Sequence, residues 1–281
     1  MISSAVPRKG ARALRRADTQ GFLWLYLVVL TGAEIAVVLV SPLLVFPLHG
    51  GLAAVLAGLY AYLQTNSVQD ERRRELSGLV LALTLAPLIR IISLTLPLAS
   101  IEPAFRYMAA GVPMIVGAFL VARTLKLSPA RIGLQWRDTP WQVGIFVVSI
   151  GFGFIEYLIL RPSPLGPSAL TFAGLLPALS VGLSAGFSEE LLFRGVLQRA
   201  LRPVTGRWTV LYASAIFAVL HVGYQSFVDL AFVFAVGLVF GLVFERTRSI
   251  IGVSAGHAIA NITLYFIAPF VLILGAGTTL P

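Results

Sequence analysis

The sequence predicts an all-α polytopic membrane protein of eight or nine transmembrane helices, with its chemistry in the C-terminal half. Hydrophobic residues make up 58% of the 281 and charged residues 12%, about half the charged share of an ordinary soluble domain. The mean hydropathy is +0.90. Long apolar runs follow one another from end to end, separated by short basic connections. These observations exclude a disordered chain, a collagen and a soluble enzyme. The absence of cysteine also removes a disulfide framework, a thiolate zinc site and a thiol nucleophile.

Residues 1–20 read as a basic cytosolic arm carrying Arg8, Lys9, Arg12, Arg15 and Arg16. The run at 21–46 is too long for a signal-peptide core and reads as an uncleaved anchor. The run at 48–64 is short, and reads as a crossing or a re-entrant segment. Runs at 77–99 and 105–123 complete an N-terminal group of helices, 21–123. The longest polar connection, 124–140, reads as a cytosolic linker and the only internal boundary. A C-terminal unit, 141–274, follows with runs at 141–160, 167–199, 207–223, 226–244 and 250–274. A crossing needs about 20 apolar residues at roughly 1.5 Å each, so 167–199 must tilt or begin at the surface. Trp136 and Trp141 flank the start of 141–160, as interfacial tryptophans do.

A net charge of +9 in a soluble protein would point to nucleic acid. Here seventeen of the 21 Lys and Arg fall in alternate connections, and only Arg106 and Arg161 in the others. Positive-inside bias then predicts nine crossings of the plasma membrane, with the N-terminus in the cytosol and the C-terminus outside. The partner of the basic arm is the lipid bilayer, not nucleic acid.

Ionisable groups inside the spans cost at least about 2.5–3.5 kcal/mol each on insertion scales, so each needs a reason. They are Glu34, Arg90, Glu156, Glu189, Glu190, Arg194, His221, Asp229 and His257. His49, at a helix end, reads as structural. Glu190 and Arg194 stand four apart and can pair along one helix face, while Glu189 lies about 100° around the helix and points elsewhere. An ion pair explains one glutamate, not two. Phe217 and His221 are also four apart, as are His257 and Asn261. Counted from the cytosolic ends, Glu189, His257 and Asn261 fall in one layer. His221 lies rather higher unless its helix starts late.

In order and spacing, Glu189-Glu190-x-x-x-Arg194, Phe217-x-x-x-His221 and His257-x-x-x-Asn261 resemble the CPBP family of intramembrane proteases, which includes the type II CAAX prenyl endopeptidase. The resemblance covers about 141–274. It implies hydrolysis of a membrane-associated peptide or protein in a cavity open to cytosolic water. Glu189 would be the general base, assisted by His221. His257 and Asn261 would stabilise the oxyanion, with Glu190 and Arg194 as the supporting pair. The family is often called a metalloprotease family, and Glu189, His221 and His257 would supply three zinc ligands and leave one position open. With no H-E-x-x-H present, the zincin helix is excluded. The metal-free glutamate–histidine chemistry is preferred, with no cofactor, and zinc is the alternative.

Gly252-x-Ser254-x-Gly256 fits a nucleophile-elbow spacing but opens a helix rather than following a strand. Gly237 and Gly241 form a G-x-x-x-G face for packing within the chain or in an oligomer. Gly182 and Gly186 suit close packing just before the glutamates. The non-enzyme alternatives are a bacteriocin-immunity-type binder and a proton-coupled transporter, whose relay would extend through Glu34, Glu156 and Asp229. A transporter usually shows an internal repeat, and this sequence has none.

Overall fold

Helix α1 runs without a break from Lys9 to Leu39, so most of the expected arm is helical and continuous with the first apolar run. The structure, a computed structural model, describes residues 9–65 and 71–275. Arg8 and residues 1–7 lie outside the described residues. The first run ends earlier than its hydrophobicity suggests, because Pro42 forces the preceding residue out of helical geometry. Ser41 is extended (ψ 132°), and its side chain accepts from the Leu43 N–H. A 3₁₀ turn (Pro42–Leu44) and a π turn (Phe46–Gly50) then lead into α2 (Gly51–Thr65). The apolar stretch Pro42–Thr65 has 24 residues, long enough to cross, so the short run at 48–64 is part of a full-length element.

The next stretch is broken into α3 (Glu71–Leu83) and α4 (Leu85–Thr95). Pro87 has no N–H to give the Leu83 carbonyl one turn back. The Tyr26 hydroxyl, buried on α1, donates to that carbonyl at 2.8 Å. Helices α5 (Pro103–Thr124) and α6 (Thr139–Leu160) follow. The 124–140 connection between them is pinned to the C-terminal half. The Ile250 N–H donates to the Gly133 carbonyl at 2.9 Å, and Gln135 donates to the Arg248 carbonyl at 2.9 Å. At Gly133 (φ +86°) a side chain would run into Phe244 and Ile250.

All described elements are helical, and eight stretches are long and apolar enough to cross a membrane. Nine separate crossings were expected. The difference lies at 167–199 and 207–223, which form one continuous stretch, Phe172–Val219. It comprises α7 (Phe172–Glu190), a π turn (Leu191–Leu197), α8 (Gln198–Thr205) and, past Gly206 at φ +56°, α9 (Thr209–Val219). At 11 residues, α9 is about 16 Å long and cannot cross a core of about 30 Å alone. Residues 167–171 precede α7, whose N-terminus is capped by Thr171. A turn at 220–226 leads into α10 (Phe227–Thr247), capped by Ser226. Helix α11 (Ile251–Ile262), a π turn (Thr263–Ile267) and α12 (Ala268–Gly275) complete the described chain.

Glycines set the approach distances that build the C-terminal half. A Cβ at Gly186 would lie 2.7 Å from the Ser254 carbonyl, and one at Gly182 2.8 Å from Ile262. Helix α7 therefore runs antiparallel to α11 in near backbone contact. Gly256 faces Ser149, and Gly153 faces Ala260 and Thr263, which lays α6 along the same helix. Gly237 meets Ser214 and Phe217, and Gly241 meets Val210, so α10 runs antiparallel to α9. Of the two uses open to Gly237 and Gly241, the structure shows packing within the chain. The Gly252–Gly256 segment is helical with Ser254 buried, which removes the nucleophile elbow.

Candidate active site

Glu190 and Arg194 straddle the start of the π turn, and both are buried within the helix bundle. Arg194 Nη1 sits 3.1 Å from Glu190 Oε1, and Nη2 donates to the Gly237 carbonyl at 3.1 Å. That carbonyl is reachable because residue 237 has no side chain. The guanidinium is stacked between Phe217, at 4.8 Å, and Phe240, at 5.7 Å. The pairing expected from the spacing is therefore present, and the cation gains two ring faces in addition.

Glu189 points elsewhere, as the helical offset implies. It lines a cavity of about 60 Å³ together with His221, His257, Asn261 and Glu156. A cavity needs roughly 10–15 Å³ of such volume to hold a water, so this one has room for water beside Glu189. The buried Glu189 Oε2 has no hydrogen-bond partner and faces His257 Nε2 at 3.9 Å.

His257 is placed differently from the expectation. Its Nδ1 lies 2.9 Å from Glu190 Oε1, and a carboxylate only accepts, so Nδ1 carries the proton. Glu190 thus serves two partners at once, Arg194 and His257. It is part of the site's alignment and more than a neutraliser for the arginine. No spacing in the sequence points to this bond, because the partners are 67 positions apart.

His221 lies past the end of α9, in the turn, and not on a crossing helix. The 3₁₀ turn Gly206–Trp208 delays the start of α9 to Thr209. That late start brings the ring down to the layer of Glu189. Nδ1 sits 2.8 Å from the Phe217 carbonyl, so it too is the protonated nitrogen and Nε2 carries the lone pair. The four-residue spacing of Phe217 and His221 is what makes this bond possible.

Five of the six expected site residues thus meet through pocket walls or direct bonds, and Asn261 joins them on the wall of the cavity. The three side chains expected to hold zinc all line this cavity. Among the described residues no group of His, Asp and Glu is arranged to hold a metal ion. Each histidine commits Nδ1 to an oxygen acceptor and leaves Nε2 for chemistry, an arrangement that serves proton transfer and metal ligation alike, and His257 Nε2 stands 3.9 Å from Glu189 Oε2.

Three polar cavity residues are not marked out by the sequence motifs: Tyr107, Tyr224 and Tyr265. The hydroxyls of Tyr224 and Tyr265 are 3.1 Å apart. Tyr265 follows Asn261 by four and Tyr224 follows His221 by three, so the spacing held a signal for both. Tyr107 comes from α5, in the half without motifs, and nothing local marks it. It is brought in by Gly111 packing on Ser184. Glu156, which the sequence reading used only in the transporter alternative, lines the same cavity.

A second, larger hollow of about 630 Å³ adjoins the first. It lies between α4–α5 and the α7–α9 face, and it shares Tyr107, Ala185, Glu189, His221 and Tyr224 with the small cavity. Its volume falls in the usual range of ligand sites, and most of its other wall is apolar, from Ile89, Leu96, Leu98, Met114, Phe193 and Leu220. The Glu189 carboxylate therefore stands between a small, partly polar cavity and a larger, mainly apolar groove.

Residues 170–263 match the family model described as type II CAAX prenyl endopeptidase Rce1-like. No curated protein and no solved structure matches the chain. The family match and the eight apolar helices support an integral membrane protein and, at family level, a CAAX-protease-like membrane endopeptidase.

Proposed function

Because residues 170–263 match the type II CAAX prenyl endopeptidase model, we propose that this chain hydrolyses a peptide bond of a membrane-associated peptide or protein, with Glu189 as the general base. The observation that carries the reading is the Glu189 oxygen that makes no hydrogen bond and stands between the small cavity and the groove. A water held in the small cavity gives its proton to Glu189, and its oxygen attacks the scissile carbonyl of a segment lying in the groove. Glu189 then returns that proton to the leaving amine as the C–N bond breaks. His221 assists through Nε2, whose lone pair is set by the bond of Nδ1 to the Phe217 carbonyl. His257, flanked by two carboxylates, is the donor that offers an Nε2–H to the oxyanion in this reading, with Asn261 as the second. Glu190 and Arg194 hold His257 in place.

The substrate class indicated by the family is a C-terminal CAAX peptide, and the apolar groove wall suits an apolar segment. We place the N-terminus in the cytosol of a plasma-membrane protein, on the basic asymmetry of the connections. The reading is tested with purified protein in lipid and a fluorogenic membrane-anchored CAAX peptide, before and after chelation with metal analysis. The wild-type protein is expected to cleave with or without bound metal. Glu189→Gln, which keeps the side chain's shape, is expected to fold normally and to lose all cleavage. Normal turnover by Glu189→Gln removes the reading, and loss of wild-type activity on chelation replaces the metal-free form of it.

A further inference from the structure

The N-terminal half carries a buried charge cluster to which neither the motifs nor the family match assigns a role. Glu34 on α1 is fully buried. Arg90 on α4 grips it, with Nε donating to Oε1 at 2.9 Å and Nη2 lying 2.5 Å from Oε2. His49, also fully buried, stands 3.6 Å from the same carboxylate. An ion pair alone would explain the cost of burying Glu34. It does not explain the third contact. Arg90 Nη2 also donates to the carbonyl of Leu220 at 2.6 Å, across 130 positions of sequence.

Leu220 is where α9 ends and is the residue before His221. Its N–H still bonds back to Ile216, but its own carbonyl is one of the orphan acceptors that a helix end leaves. Immediately beyond, the chain turns through His221, Val222 and Gly223 to Gln225 at φ +54°. The far side of this turn is held by the Tyr224 hydroxyl, 3.1 Å from that of Tyr265, and by the stacking of Tyr224 on the His221 ring, which leaves the start of the turn to be held at Leu220. A cation on the last carbonyl suits the negative end of the helix, and this one is itself fixed by a buried carboxylate. Arg90 also lines the groove, as do Glu189 and His221.

We propose that Arg90 is a positioning residue for the reaction: anchored by Glu34, it clamps the end of α9 and so fixes His221 against Glu189. The first helices then serve the active site as the backing of its histidine turn. This rests on the proteolytic reading above. A displacement of about 1 Å in a reacting group costs up to about a hundredfold in rate, so turnover is the sensitive quantity.

The test is Glu34→Gln/Arg90→Met, which removes both charges together and leaves no buried charge unpaired, beside Arg90→Lys. All proteins are compared in lipid by thermal unfolding, kcat and KM on the CAAX peptide, and hydrogen exchange of the 217–226 segment. The double variant is expected to fold, to lose between about ten- and a hundredfold in kcat, to keep KM within about threefold, and to exchange faster at 217–226 only. Arg90→Lys, which keeps a donor able to reach one partner, is expected to recover part of the kcat. A folded double variant with wild-type kcat overturns the proposal, as does a rise in KM with kcat unchanged. Failure of both variants to fold also overturns it, because the contact would then be one of stability alone. An inactive wild-type protein counts instead against the proteolytic reading, and the exchange rates still report whether Arg90 holds the turn.

Discussion

Arg194→Met is expected to destabilise the protein more than removal of both Arg194 and its partner. The arginine is 2% exposed. Methionine fills most of its volume, so the loss is in charge and hydrogen bonding and not in a cavity. What disappears is the 3.1 Å pair with Glu190, the 3.1 Å bond to the Gly237 carbonyl and the contacts with Phe217 and Phe240. What remains is a fully buried Glu190 held by His257 at 2.9 Å. Breaking a buried pair from one side costs about 3–5 kcal/mol. Glu190→Gln strands the cation instead and is expected to cost a similar amount. In Glu190→Gln/Arg194→Met neither charge is stranded, and the amide introduced at position 190 still offers an oxygen to His257. The remaining loss is one or two hydrogen bonds at about 1 kcal/mol each. Each single substitution therefore exceeds the double, and the cycle closes with a coupling of several kcal/mol. Equilibrium unfolding of the four proteins in mixed micelles measures it. Additive costs, within about 0.5 kcal/mol, refute the claim that the pair is one buried electrostatic unit.

Asn261→Ala is expected to leave the fold intact and lower kcat by about 10²–10³, the usual cost of one oxyanion donor; wild-type kcat removes Asn261 from that role. Gly186→Val sets a branched side chain where a Cβ already lies 2.7 Å from the α11 backbone. Overpacking costs about 1–3 kcal/mol. Because α11 carries His257, cleavage is expected to fall further than stability does, and equal activity per folded molecule contradicts the claim that this contact sets the site.

Much of this molecule is determined by the sequence alone. Apolar run length sets an all-helical chain of long apolar stretches, although it divides into two runs what the structure joins as Phe172–Val219. Four-residue spacing sets Glu190 against Arg194 and His221 Nδ1 against the Phe217 carbonyl, because helical periodicity is a local property of the chain. The same periodicity separates Glu189 from its neighbour and leaves it facing the cavity. The tertiary structure alone decides the rest. The bond from His257 to Glu190 depends on how closely α7 and α11 approach, and that distance is set where Gly182 and Gly186 carry no side chain. The level of His221 depends on a turn that delays α9 and ends it before the histidine. Tyr107 enters the cavity, and Arg90 reaches the Leu220 carbonyl, from a half of the chain without any motif. Spacing along one helix carries no information about a partner 67 or 130 positions away, since such contacts arise from the packing of whole helices and not from the pitch of any one of them.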